Sequence, residues 1–323
     1  MTQFASAVSK FIYTPYPKTE NAKKIISRTL IIEKREVDED TAEKLKKKNP
    51  DQLKFENDYN NFFNERLLEL FQKEFIGSKD IITKTTSEVE QLLDSKSTKY
   101  VILRNQNMER SFQVNRSFKD VDTYTFSLIL PDLKKEQLMI SFTYDILSDP
   151  DFTFLIQQIN DNLQRASKGE ESIELDDIND NRAAQLKGKK LIITDKLLNP
   201  KLTLEDIKKV YKLDIEYITD NSKYNEIISN KTPGYAYITS AFTPLTMGTC
   251  YFVVNTENGN ILEAMSLGGV TFSISTRPSK AMMPYASKAD RSKFTVDLLT
   301  LRPTETLKEK HFEYLNKLAS KKK

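Results

Sequence analysis

One stretch of 17 residues in this chain can be laid on a second without a gap, and this constrains the possible fold more than any other feature. Ser87 to Leu103 reads SEVEQLLDSKSTKYVIL and Ser222 to Ile238 reads SKYNEIISNKTPGYAYI, a constant shift of 135 positions. Ser87 falls on Ser222, Lys96 on Lys231 and Tyr100 on Tyr235, while Val89, Leu92 and Leu93 fall on Tyr224, Ile227 and Ile228. Both stretches read as a Ser-capped amphipathic helix, a polar turn and an apolar strand.

The order of elements extends the match in both directions. Upstream lie a short apolar segment (Asp80 to Thr83, Asp214 to Ile218), a helix (Tyr59 to Phe75, Thr203 to Tyr211) and a strand (Leu30-Ile31-Ile32, Leu191-Ile192-Ile193). The first of these helices carries apolar residues at 59, 62, 63, 67, 70, 71 and 75, which is helical spacing. The strands are offset by 161 rather than 135, and the charged stretch Asp38 to Asn49, closed by Pro50, accounts for the 26 extra residues together with the longer helix. Downstream come two strands, Tyr124 to Leu130 with Leu138 to Tyr144 and Cys250 to Asn255 with Ile261 to Leu267. The second pair turns through Glu257-Asn258-Gly259-Asn260, a sequence suited to a tight turn. Each half closes on a helix, Asp151 to Ala166 or Thr306 to Leu318. The expected fold class is α/β (α+β): two tandem copies of a β-α-β-α-β-β-β-α unit, each a mixed sheet with helices packed on it.

The remaining segments fall between and around the copies. Residues 1–24 are expected to form an extended arm, because Pro15 and Pro17 in Phe11-Ile12-Tyr13-Thr14-Pro15-Tyr16-Pro17-Lys18 oppose a helix. The first copy covers 25–167 and the second 189–323. Residues 168–188, with Glu170, Glu171, Asp176 and Asp177, read as an acidic, solvated linker. Within the second copy, 267–292 reads as a long irregular loop without a counterpart in the first.

At 323 residues there is chain enough for two cores. With 49 Lys and Arg against 46 Asp and Glu, the net charge is +3, and only Lys321 to Lys323 form a pure basic run. That balance does not suit a nucleic-acid binder, which neutralises phosphates with one clustered basic face. No stretch approaches the ~18 apolar residues that a membrane span requires. Met1 to Val8 shows no basic segment leading into an apolar one, so no signal peptide is read as the sequence stands. A periplasmic or envelope location is expected if one was removed, and a cytoplasmic one otherwise.

Few residues offer chemistry. The single cysteine, Cys250, sits in the apolar run Thr249 to Val254 and reads as a buried, inert thiol, which leaves neither a disulfide nor a multi-thiolate zinc site. The single histidine, His311, lies in the charged run Lys308 to Tyr314 and reads as part of a solvated helix face. No phosphate-binding glycine motif is present, and no cofactor or metal is expected. Paired carboxylates between the copies would serve a hydrolase.

Two phrases bear on family. Gly77-Ser78-Lys79-Asp80-Ile81-Ile82 with Glu88 to Leu93, and Val254-Asn255-Thr256-Glu257-Asn258-Gly259-Asn260-Ile261-Leu262, resemble the two motif regions of a small α/β domain. That domain is shared by the curli-secretion lipoproteins, the penicillin-binding-protein activators and the amino-terminal domain of TolB. The resemblance covers about half of each copy. It implies a bacterial envelope protein that binds other proteins and performs no chemistry. The chain departs from the pattern in having no cysteine near its start and in being doubled.

The expected function is therefore a non-catalytic protein-interaction or scaffold protein of a bacterial envelope, whose partner is another protein, in an oligomer or envelope complex. The alternative is a carboxylate-based hydrolase with its site between the copies. Candidate binding residues lie in the irregular loop, where Arg277 and Lys280 suit an anion or acidic partner and Met282, Met283 and Tyr285 an adaptable apolar contact. The arm adds Tyr13 and Tyr16, since an extended Pro-rich segment can lie in a neighbouring groove.

Overall fold

A computed structural model describes residues 13, 15–78, 80–114, 117–142, 147–174, 178, 182–195, 197–243, 248–266 and 307–320. The first half runs α1 (Thr19–Ser27), β1 (Thr29–Glu33), α2 (Glu39–Lys48), α3 (Pro50–Glu74), β2 (Ile81–Lys84), α4 (Thr86–Asp94), β3 (Tyr100–Val114), β4 (Ser117–Leu130), β5 (Lys135–Phe142) and α5 (Asp149–Ser167). After a short 3-10 turn, Ala183–Gly188, come β6 (Lys190–Ile193), α6 (Leu204–Val210), β7 (Ile215–Tyr217), α7 (Asn221–Ser229), β8 (Tyr235–Thr243), β9 (Gly248–Asn255), β10 (Ile261–Ser266) and α8 (Glu309–Ser320). The chain is an α/β protein built on a mixed sheet with helices around it.

Strand pairing follows the same scheme in each half. β1 lies parallel between β2 and β3, with Leu30 opposite Ile81 and Val101. β6 lies parallel between β7 and β8, with Leu191 opposite Ile215 and Ala236. β3, β4 and β5 form an antiparallel meander, as do β8, β9 and β10. A single ten-stranded sheet results, because β5 meets β8 antiparallel at Ser141 and Phe242.

The caps of the two aligned helices sit two residues before the expected serines. Thr85 forms a capping box with Glu88 on α4, and the Asp220 carboxylate accepts the Ser222 N–H on α7 at 2.9 Å. Thr and Asp accept N-terminal amide protons as Ser does, so the helix signal held while its first turn shifted. At the far ends, Lys96 and Lys231 both take left-handed backbone angles, φ 51 and 53.

Three further differences from the sequence reading have local causes. The arm is not extended to residue 24: α1 begins at Thr19 and buries Ala22 and Ile25, two positions on one helical face, beside α5. α3 starts nine residues before Tyr59, where Pro50 takes the first turn and Asn49 accepts the Gln52 N–H at 3.2 Å. Proline suits that position because its missing N–H has no helical partner there anyway. The linker is not a solvated tether, for Ile173, Ile178, Ala183 and Leu186 are all buried.

Packing alternates between the halves. Leu30 and Ile32 belong to the large core under α1, α3 and α5, whereas Ile31 packs with Val89 of α4 on the opposite face. In the second half Leu191 and Ile193 pack under α6 and α8, and Ile192 joins the large core with Tyr224, Ile227 and Ile228 of α7. Positions matched in sequence thus bury opposite faces of one sheet. α5 runs through the core shared by both halves, and 13 of its 19 residues are buried. Phe152, Phe154, Leu155, Ile156 and Ile159, worth about 1.5–3 kcal/mol each on burial, hold it there. Two of its buried amides bond to the second half: Gln158 donates to the Gly259 carbonyl at 2.8 Å, and Gln157 accepts from the Tyr237 hydroxyl at 3.4 Å.

Candidate functional site: an amide-lined cleft at the end of β1

Beyond Glu33 the chain leaves the sheet, and the segment from Lys34 to Val37 crosses over α3. The Asn64 side chain fixes this crossing, accepting the Arg35 N–H at 2.8 Å and donating to the Arg35 carbonyl at 2.9 Å, as a neighbouring strand would. The Arg35 guanidinium rests on aromatic rings, 4.8 Å from the centroid of Tyr124, 4.9 Å from Tyr59 and 5.6 Å from Phe63. Contacts of this kind contribute about 0.5–2 kcal/mol. Tyr124 donates to Asn105 Oδ1 at 2.5 Å, and Asn105 Nδ2 donates to the Glu33 carbonyl at 2.6 Å, which anchors the end of β1 to β3.

Between this segment, α3 and Thr83 of β2 lies a cleft of about 630 Å³, within the range of ligand sites. Its α3 wall carries Asn57, Asn60, Asn61 and Asn64, spaced i, i+3, i+4 and i+7, so the four amides share one helical face. Asn57 and Asn61 are exposed, and Asn60 is 6% exposed with its Oδ1 lacking any hydrogen-bond partner among the described residues. A buried acceptor left unpaired costs about 1–3 kcal/mol, which a donor entering the cleft would recover. Lys34 and Arg35 are offset by Glu36 and Glu65, so the lining is polar without strong charge of either sign. Amides donate and accept at once, which matches a peptide backbone or another neutral polar group. Next to the cleft, β2 pairs with β1 alone among the described residues and so presents an open edge, with Ile82 41% exposed on it.

The sequence reading missed this site because only the apolar positions of α3 were read as meaningful. The signal was present in Asn57, Asn60, Asn61 and Asn64, an amide stripe alongside Tyr59, Phe63 and Leu67.

Of the candidate residues named from sequence, Arg277, Lys280, Met282, Met283 and Tyr285 lie outside the described residues, as does the whole loop 267–292. Tyr13 is 2% exposed in the large core, and burial first, then Asp161, Cys250 and Tyr237, pushes its phenol well above the usual value. Tyr16 packs against the same core and donates to the Glu170 carbonyl at 3.2 Å. Both tyrosines are thus used within the chain, where Tyr13 bridges the halves. The two do not meet the amide cleft.

The lone cysteine and histidine are structural. Cys250 is 2% exposed, and burial with the nearby Glu263 pushes its thiol up. His311 is not on a solvated face: it is 6% exposed, and its Nδ1 accepts the Lys308 N–H at 2.9 Å at the start of α8. Asp151 does the same on α5, accepting the Ser148 N–H at 2.8 Å. Burial, with Lys310 and Lys308 adding to it, lowers the imidazole from 6.5 to about 4. Because the folded value is depressed, the unfolded chain binds more protons between those values, and stability is lost as pH falls from about 6.5 towards about 4. Urea unfolding at pH 7, 6, 5 and 4.5 is expected to show this slope, shallower in His311→Asn, whose amide oxygen can accept the same N–H. Equal slopes in the two chains would remove His311 from the cause.

Carboxyls raised by burial occur at Glu33 and Asp161. Arg104 opposes the shift at Glu33, and Arg165 and Arg182 oppose it at Asp161. At both, burial outweighs the nearby arginines. No group of three or more His, Cys, Asp or Glu suited to a metal ion occurs among the described residues, and no helix there is long and apolar enough to cross a membrane.

No protein-family model, curated protein or solved structure matches the chain. Fold and site together define an α/β sheet protein with an amide-lined cleft beside an open parallel edge.

Proposed function

We propose that this chain is an internally duplicated, non-catalytic protein-interaction protein that receives an extended segment of a partner along β2 and the adjoining cleft. The observation that carries this reading is the buried Asn60 oxygen, without a partner among the described residues, in a wall of amides beside a strand edge. An added strand gains main-chain hydrogen bonds from the edge, and its alternate side chains reach the two faces. Here one face offers the exposed Ile82 and the other Thr83 with the α3 amides. An envelope setting is supported only by the motif resemblance at 77–93 and 254–262.

Selection of binding peptides from a displayed random library on the full chain tests the reading. Peptides so selected are expected to lose about tenfold in affinity, ~1.4 kcal/mol, against Asn57→Arg/Asn61→Arg, which fills the cleft from two exposed positions. Binding that survives unchanged in a variant with native circular dichroism and melting would place the contact elsewhere and reject the cleft.

A further inference from the structure

We infer that Asn60 selects the partner by pairing with a primary carboxamide, the side chain of an Asn or Gln, on the segment that adds to β2. This rests on the proposed function and names the chemistry that the cleft reads. Of the four amides on the α3 wall, three are already provided for. Asn64 donates to and accepts from the Arg35 backbone, and Asn57 and Asn61 are exposed to solvent. Asn60 is 6% exposed, and its Oδ1 has no hydrogen-bond partner among the described residues. A buried polar atom discriminates between ligands more sharply than an exposed one, because water cannot replace a bond that the ligand fails to make.

The sheet decides which part of an added strand reaches this atom. Leu30 and Ile32, opposite Ile81 and Thr83, belong to the core under α3, whereas Ile31, opposite Ile82, packs with Val89 of α4. Thr83 accordingly lines the cleft together with Asn60. A residue set opposite Thr83 on an added strand sends its side chain the same way, while its backbone groups stay in the plane of the sheet. What meets Asn60 from that strand is therefore a side chain.

The surroundings set the chemistry of that side chain. Glu36 and Glu65 line the cleft against a carboxylate, and Lys34 and Arg35 against an ammonium group. An apolar side chain would leave the Asn60 oxygen without a bond. A hydroxyl donates and accepts through one atom, whereas a carboxamide sets a donor and an acceptor side by side, as Asn60 itself does. The same exchange exists one turn along α3, where Asn64 and the Arg35 backbone bond in both directions at 2.8 and 2.9 Å.

Peptides selected on the full chain from a displayed random library are expected to share an Asn or Gln at one position. In one such peptide, replacing that residue by the apolar residue of nearest shape, Leu for Asn or Met for Gln, is expected to weaken binding about tenfold or more. On Asn60→Leu the same replacement is expected to change affinity by less than about twofold, because the pair is already broken. Asn60→Ala, which adds no atom to be packed, takes the place of Asn60→Leu should that variant not fold. Peptides that lose binding on Asn57→Arg/Asn61→Arg yet share no amide overturn this inference and leave the proposed function standing. So does a preference for the amide that persists unchanged without Asn60. Peptides indifferent to Asn57→Arg/Asn61→Arg, or a library that yields no binder, overturn both.

Discussion

Phe63→Ala is expected to destabilise the chain by about 3–5 kcal/mol, the cost of removing a large aromatic side chain from a close-packed interior. Phe63 is fully buried, and four rings surround it: Phe152 with centroids at 5.3 Å, Tyr124 at 5.9 Å, and Tyr59 and Phe126 at 6.1 Å. These come from α3, β4 and α5, so no single neighbour can move to fill the space. Phe63→Leu retains part of the volume and is expected to cost less than half as much. Urea unfolding followed by circular dichroism measures both. Since Phe63 is also one of the rings beneath Arg35, the Ala variant should loosen the cleft as well as the core. A loss below about 1 kcal/mol would mean that α3 does not pack as described.

The second large effect is expected at Gly259, in the turn between β9 and β10. Its φ of +72 is a left-handed angle, and a Cβ there would lie 2.5 Å from the Gln157 Cβ on α5. Gly259→Ala therefore combines about 1–2 kcal/mol of backbone strain with about 1–3 kcal/mol of overpacking. Gly234 supplies the control, since its φ is +81 but nothing lies within 4 Å of the added carbon. Gly234→Ala is expected to show the strain alone. The difference between the two melting curves reads how tightly α5 is pressed on the second hairpin. Equal losses would show that the helix gives way without cost.

Local features carried the reading of the elements, and long-range ones escaped it. The helix and the strand within each of Ser87–Leu103 and Ser222–Ile238 were legible because helix, turn and strand signals all lie within a short window. The turn at Glu257 to Asn260 was legible for the same reason. The seam at Ser141 and Phe242 was not, because no periodicity in β5 or β8 states which strand will lie alongside. His311 was misplaced because its neighbours Lys308, Glu309, Lys310 and Glu313 suggest a wet face, whereas the Nδ1 bond and the packing of Phe312 and Leu315 turn that side inward. Ile173 and Ile178 were similarly hidden among acidic neighbours. For the amide cleft, the residues were plain in α3, but what makes them a site is the crossing of Lys34 to Val37 above them.

The burial of α5 on so many sides bears on modularity. Although the helix closes the first half in sequence, Gln157, Gln158 and Phe154 meet Tyr237, Gly259 and Phe252 of the second. A scission in the segment between the halves would leave the first with an uncovered apolar flank and the second without the helix that roofs its hairpin. Two units that look interchangeable on paper are therefore one cooperative body, and neither can be transplanted alone without a new surface being made for it.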